Sequence, residues 1–385
     1  MARDLNVLVT CGRVSPAVPL VRALHASGAR VDVADPNKLA PALHSNAVDQ
    51  IHVVAPPASE PVRFAEQVAE IADQRGIDLI VPAFEEVFAL TRYADRLRVP
   101  VFAPPFEIIA RLHNKARFVA LCRDLGLTVP PTEIATNRAE LHAAVARLDE
   151  FVARPAFSRG GWTYLTNHGP RAKERTIDDC EPTPENPWLV QPYLEGDDVC
   201  TFDVARAGKV LVHCTYEPTI PAPGGYALQF ASVDDPAVLE AASAVCAEVG
   251  YTGLVGFDFR RTQEGLVMLE CNPRVTAGNF LTPPDWITQA MLVEPPPREQ
   301  RVVLAGQRRQ YDSDLLNPHL NLPPRRLIHE LLTTPDAFMS VHDVLPSLFV
   351  LISRHHWQSV ARHEHIAVAE AFLGDLVWDG TPLPT

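Results

Sequence analysis

The feature that most restricts this chain is an alternation, over its first 110 residues, of short β-rich runs with helical patterns: Asn6 to Thr10, Ala17 to Ser27, Arg30 to Ala34, Val62 to Arg75 and Leu79 to Pro82. Strands joined by helix-length crossovers pair in parallel, because each crossover carries the chain back to the end where the last strand began. A Rossmann-like parallel-sheet unit is expected. Its first turn, Thr10-Cys11-Gly12-Arg13, lies between a strand and a helix, where backbone N–H groups can receive an anion; a plain connecting turn is the equal alternative.

From Ile108 the rhythm changes. Ile109 to Leu125 reads as one helix, Gly126 follows it, and Val129-Pro130-Pro131-Thr132 makes an extended link to a second helix over Ala139 to Leu148. Strands fit Phe151 to Pro155, Trp188 to Val190, Val199 to Arg206, Val210 to Cys214, Leu254 to Arg261 and Leu266 to Cys271, which predicts an α+β unit with mostly antiparallel sheet. Beyond Pro283 the chain is rich in proline. Helical patterns cover Arg326 to Leu332 and Arg362 to Leu373, while Pro346 argues against a continuous helix through Val341 to Leu351.

The whole reads as α/β and α+β. A parallel-sheet domain spans 1–110, and an α+β unit follows it up to the proline-rich stretch after Pro283. An extension, 284–385, is expected to pack on the second domain. A chain of 385 residues has room for two or three such cores.

Composition excludes several partners. A formal net charge of −13 opposes the basic face that nucleic acid needs. No run approaches the roughly 20 apolar residues of a membrane span. Seven scattered cysteines without a CxxC pair suit a reducing cytoplasm, and no two of the 14 histidines stand three or four apart as a zinc pair would on a helix.

The strongest chemical signal is Gly256-Phe257-Asp258-Phe259-Arg260, a turn at Gln263-Glu264-Gly265, and Leu266-Val267-Met268-Leu269-Glu270-Cys271-Asn272-Pro273-Arg274. A hairpin brings Asp258 level with Glu270, and residues two apart on a strand share a face, so Glu270 and Asn272 point the same way. Three oxygen donors then converge, the set that Mg2+ (or Mn2+) takes together with water and phosphate oxygens. An ordinary hairpin with solvated acids is the competing reading. Phe157-Ser158-Arg159-Gly160-Gly161-Trp162 comes after the Arg154 strand, and its paired glycines let a backbone close over phosphates.

Taken in order, Asn114-Lys115-Ala116-Arg117-Phe118, Val152-Ala153-Arg154-Pro155, Ser158-Arg159-Gly160-Gly161, Gln191-Pro192-Tyr193-Leu194-Glu195-Gly196-Asp197-Asp198 and Leu269-Glu270-Cys271-Asn272-Pro273-Arg274 resemble the ATP-grasp superfamily from about Val7 to Gly278. The first unit, with Val81-Pro82-Ala83-Phe84-Glu85-Glu86 closing a strand, is similar to the family's pre-ATP-grasp domain.

The resemblance implies a two-lobed ATP-grasp domain over 111–283, with a small lobe over about 115–190 and a large lobe over about 191–283, and ATP and Mg2+ as cofactors. It assigns Lys115 and Arg154 to phosphate, Arg154 standing where many members carry lysine but resembling the carbamoyl-phosphate synthetase large chain. It assigns Ser158, Gly160 and Gly161 to the phosphate-covering loop, Gln191 and Leu194 to the adenine-reading hinge, and Asp198 to the ribose, with Asp197 as runner-up. Asp258, Glu270 and Asn272 fall on the metal ligands. Arg274 falls near the transferred phosphate and, with Arg154, on the catalytic set. Cys271 is read as a packed neighbour.

The same resemblance implies a cytoplasmic carboxylate-amine ligase that activates a small-molecule carboxylate as an acylphosphate and joins it to an amine, with amino-acid or peptide-like substrates. A carboxylase or carbamoyl-phosphate-forming relative and a catalytically silent ATP-binding regulator are the alternatives. The tail is left to covering the site, selecting the second substrate, forming a homodimer surface or plain scaffolding, and the loop Glu217 to Phe230 to a wall of the substrate pocket.

Overall fold

The computed structural model describes residues 5–158, 163–169, 171–221, 227–315, 320 and 322–384; Gly160 and Gly161 lie outside them. The N-terminal unit runs β1 (Asn6–Thr10), α1 (Ala17–Ala26), β2 (Arg30–Asp35), β3 (Gln50–Val53), α2 (Pro61–Arg75), β4 (Leu79–Pro82) and α3 (Val87–Arg92). Its sheet is entirely parallel, in the order β3-β2-β1-β4, with Val7 level with Val31 on one side and Leu79 on the other. Val7, Leu8 and Val9 are fully buried, as strands covered on both faces require.

The turn after β1 is already occupied. The Arg13 N–H donates to Asp35 Oδ2 at 2.9 Å, and the buried Arg13 guanidinium pairs with Asp35 and with Asp375 at 2.7 Å. The anion invited by the sequence at Arg13 is therefore supplied from within the chain. Gly12 is required here, since a Cβ would stand 2.9 Å from the Val33 side chain.

Next come α4 (Phe106–His113), α5 (Lys115–Asp124), β5 (Glu133–Ala135), α6 (Arg138–Val145), β6 (Phe151–Pro155), β7 (Leu165–Thr166) and β8 (Trp188–Pro192). The expected single helix over Ile109 to Leu125 is two. Asn114 leaves helical geometry, and its side chain accepts the Arg117 N–H at 3.0 Å, which caps a new helix beginning at Lys115. Strands β5-β8-β6-β7 form a small antiparallel sheet over its own core of Leu141, Phe151, Trp188 and Val190.

The large sheet is built from β9 (Asp197–Arg206), β10 (Lys209–Pro221), β11 (Ala227–Val233), β12 (Gly253–Thr262) and β13 (Gly265–Asn272), in the order β13-β12-β9-β10-β11, with α7 (Pro236–Glu248) on one face. Phe202, Phe230 and Phe280 on the opposite face join the core around α1 and β1. Each fully buried phenylalanine contributes about 1.5–3 kcal/mol relative to exposure. The parallel unit and the large sheet thus share one apolar interior.

The tail contributes α8 (Pro284–Leu292), β14 (Arg301–Val302), β15 (Arg308–Gln310), α9 (Asp312–Leu315), α10 (Pro324–Thr333), α11 (Leu345–Glu364) and α12 (Val368–Leu373). Strand β14 pairs β10 and β15 pairs β11. The later part behaves differently. Asp343 binds Arg22, Ser45 and Asn46, and Asp375 binds Arg13, so this part of the extension rests on the N-terminal unit. Pro346 does not interrupt α11; it lies in the first turn, where its missing N–H has no helical acceptor to satisfy. The pattern expected over Arg362 to Leu373 is broken at His365, a left-handed C-cap. Among the described residues, no helix is long and apolar enough to cross a membrane.

Candidate active site

The hairpin of β12 and β13 places the acids, but not by simple counting. From the turn, Thr262 pairs with Gly265 and Phe259 with Met268, a register that would set Asp258 against Leu269. A bulge at this point instead brings Asp258 opposite Glu270 and Gly256 opposite Asn272. The Asn272 amide Nδ2 donates to Asp258 Oδ2 at 2.8 Å, and its Oδ1 accepts from Arg274 Nη2 at 2.8 Å.

Three further elements meet this hairpin. Arg154 on β6 sets Nη1 2.7 Å from Glu270 Oε2 and donates from Nη2 to the Leu269 carbonyl at 3.2 Å. Lys115 at the start of α5 has its Nζ 3.6 Å from Glu270 Oε2 and donates to the Ser158 carbonyl. The Lys115 N–H donates to the Ala156 carbonyl at 3.0 Å, tying the helix start to the end of β6. Glu85, just past β4, stands 4.0 Å from Arg274 Nε, and the Arg274 guanidinium lies over the Phe84 ring.

In the sequence Glu85 lies within a motif yet carries no expected role. The available signal was its position past the carboxyl end of a parallel strand, where open α/β sheets bind ligands. Glu86 beside it turns inward, accepting from Thr10 Oγ1 at 2.6 Å and from the Ala83 N–H at 2.9 Å.

Charge is unevenly shared. Burial, and then the facing Glu270, push the Asp258 carboxyl well above the ordinary carboxylate range. For Glu270 burial acts the same way, but the Lys115 and Arg154 cations outweigh it and hold this group low. Burial lowers Lys115 against the opposing pull of Glu270. Two opposed carboxylates and an amide oxygen form a hard donor set, so Asp258, Glu270 and Asn272 fit Mg2+. Holding the ion through the Asn272 oxygen requires its amide to turn, which exchanges the donor and acceptor it now presents.

The other expected residues are held elsewhere. The Ser158 hydroxyl donates to the Pro155 carbonyl at 3.0 Å, and Gln191 on β8 spends its side-chain amide on Thr132 Oγ1 at 2.9 Å. Leu194 follows β8 and is half-buried. Asp198, the second residue of β9, is exposed, with Arg260 Nη2 at 3.2 Å, one pair of the same face along the ladder from Cys200 and Asp258. Cys271 is buried among Tyr251, Phe257 and Met268.

A wedge of threonines steadies the site. Thr201 Oγ1 accepts the Phe257 N–H at 3.0 Å and donates to Asp203, which in turn meets His213 at 2.6 Å. Thr276 donates to the Thr201 carbonyl at 2.6 Å, anchoring the segment that carries Asn272 and Arg274.

Residues 112–278 match the model of the ATP-grasp domain. The carbamoyl phosphate synthase large chain of Helicobacter pylori strain J99 is 24% identical over 234 residues, 56% of this chain and 21% of that protein. The chain thus spans about a fifth of the length of this curated relative. Among solved structures, the biotin carboxylase domain of Hydrogenobacter thermophilus 2-oxoglutarate carboxylase, in complex with MgADP, ADP and bicarbonate, superposes with a TM-score of 0.62 at 15% identity, over 78% of this chain and 72% of that one. The L-amino acid ligase of Bacillus licheniformis gives 0.55 at 13%, over 75% and 71%. At such identities the likeness is one of fold.

Proposed function

We propose that this protein is an ATP-dependent carboxylate-amine ligase that forms a C–N bond between small molecules and releases ADP and phosphate. The observation that carries the reading is Glu270, which joins the Lys115 and Arg154 cations on one side to Asp258, Asn272 and Arg274 on the other. A phosphate-binding pair and a metal donor set are thereby one continuous cluster. The units 1–110, 111–283 and 284–385 then serve as substrate-facing domain, nucleotide domain and extension.

Adenine is read at Gln191 and Leu194, ribose at Asp198, and the phosphates by Lys115, Arg154 and the Ser158, Gly160 and Gly161 segment. A magnesium ion held by Asp258, Glu270 and Asn272 supplies electrostatic stabilisation of phosphate oxygens when bound. A substrate carboxylate attacks the γ-phosphorus in line, ADP departs, and an acylphosphate forms, with Lys115 and Arg154 neutralising charge on the transferring group. An amine then attacks the acyl carbon, Arg274 faces the oxyanion, and phosphate leaves.

The test is ADP release with pooled amino acids, alone and with hydroxylamine. Hydroxamate formed at the expense of the amide product identifies the acylphosphate. ATP binding with no stimulated turnover across the pool would make the protein a nucleotide-binding regulator instead. The synthase relative and the bicarbonate-bound neighbour favour a second reading, in which bicarbonate is the carboxylate phosphorylated. ADP release stimulated by bicarbonate without any amino acid selects it.

A further inference from the structure

The last turn of the chain reaches the phosphate side of the cluster. Trp378 packs its ring against Phe88 at 4.8 Å between centroids, Phe106 at 5.3 Å and, edge-on, Phe157 at 5.0 Å. The turn around it is self-supported: Trp378 Nε1 donates to the Thr381 carbonyl at 2.8 Å and the Thr381 N–H to Asp379 Oδ1 at 2.9 Å. Tyr93 from the N-terminal unit donates its hydroxyl to the Pro384 carbonyl at 2.7 Å, fixing the far end.

Gly380 at the tip has a positive φ of 89°, and a Cβ there would meet the Phe157 ring at 2.2 Å. The tail backbone therefore lies directly on that ring. On the other side of the contact, the Asn186 side chain accepts the Phe157 N–H at 2.9 Å and donates toward the Phe157 and Asp379 carbonyls.

Phe157 precedes Ser158, whose carbonyl accepts from the Lys115 ammonium, and follows Ala156, whose carbonyl accepts the Lys115 N–H. The Ala156 and Ser158 carbonyls that hold Lys115 thus flank Phe157, a residue on which the tail packs. Resting on the ATP-dependent reading above, we infer that Trp378 and Gly380 are positioning residues for the nucleotide phosphates. Docking of the C-terminal turn on Phe157 sets the Ala156 to Ser158 backbone, and through it the reach of Lys115. The tail joins the N-terminal unit to the small lobe at this point, so it ties lobe position to phosphate binding.

The experiment compares full-length wild type, Trp378→Ala, Trp378→Phe and Gly380→Ala. Calorimetry with MgADP and the KM for ATP are the first readouts, and hydrogen exchange of the Phe157 amide without nucleotide is the second. Trp378→Ala and Gly380→Ala are expected to weaken MgADP and raise the KM for ATP about tenfold, with kcat within about twofold. Trp378→Phe should recover most of the affinity, and Phe157 exchange should quicken in the two alanine variants. Gly380→Ala retains the Trp378 ring, so it tests the same contact if Trp378→Ala does not fold. A folded Trp378→Ala with wild-type MgADP affinity overturns the inference. Wild type that binds no nucleotide sinks the ATP reading instead, and in that case Phe157 exchange unchanged by Trp378→Ala overturns the positioning contact on its own.

Discussion

Arg154 Nη1 lies 2.7 Å from Glu270 Oε2, although 116 residues separate them in the chain. The contact joins the small sheet to the large one at the point where phosphate and metal would meet. Glu270 is therefore the counter-ion of two cations whose side chains are largely buried, and in the proposed function it is a metal donor as well.

That double role sharpens the effect of Glu270→Ala. Removing one member of a buried ion cluster leaves the others uncompensated, which costs about 3–5 kcal/mol. The variant is expected to lose Mg-dependent turnover and also to melt at lower temperature. Full activity at the wild-type melting temperature would refute both assignments.

Arg154→Lys keeps the charge but gives up the two-pronged contact with Glu270 and the Leu269 carbonyl. Losing one charge-assisted hydrogen bond corresponds to about a tenfold rise in the KM for ATP. Arg154→Ala should be far worse. Equal kinetics for lysine and arginine would show that geometry at this position is unimportant.

Gly256 permits the threonine wedge. A Cβ there would stand 2.3 Å from Thr276 Cγ2 and 2.6 Å from the Thr201 carbonyl oxygen, so Gly256→Ala must displace Thr276 and the Asn272 to Arg274 segment with it. Overpacking of this kind costs about 1–3 kcal/mol. Thermal unfolding and Mg-dependent ADP release should fall together; loss of stability with untouched kinetics would confine Thr276 to a structural part.

Asp258, Glu270 and Asn272 were legible in the sequence because period-2 alternation and a tight turn are local signals. The bulge that puts Asp258 opposite Glu270 was not, since a single extra residue leaves no mark in the hydrophobic pattern. The helix break at Asn114 was hidden inside a continuous apolar period, although the residue type is a favoured cap. The seat of the tail was illegible for another reason. Its anchors, such as Arg13 with Asp375, are 362 residues apart, and nothing local marks either as the other's partner. Glu85 stayed off the site set because its partner, Arg274, lies far along the chain, just past β13.

Asp343 gives the tail a pH signature. Burial alone would raise its carboxyl, but hydrogen bonds from Ser45, the Asn46 N–H and Arg22 prevail and hold it below its ordinary 3.8. A carboxylate depressed in the folded state adds stability above the unfolded value and loses it as pH falls through the folded one. Melting temperature should therefore drop as pH is lowered from about 5 toward 3. Asp343→Asn should melt lower at pH 7 and show a shallower acid slope. A slope as steep as that of wild type would exclude Asp343 as its source.

The opposed acids make the strongest case for a metal. With Glu270 held ionised by Lys115 and Arg154, burial and that neighbour's charge disfavour the charged form of Asp258; a divalent cation between them removes this penalty. Binding of ADP should then depend on the ion, because the phosphates complete a coordination sphere that two carboxylates and an amide leave open. MgADP at 100 times its dissociation constant stabilises a folded protein by about 2.7 kcal/mol, whereas ADP with chelator should give much less. Asp258→Asn keeps the shape of the side chain while removing its charge, so it should abolish the difference between the two conditions and leave whatever stabilisation ADP alone provides. If chelator has no effect on the wild-type melting shift, the hairpin holds no metal and its acids serve only to pair with Lys115, Arg154 and Arg274.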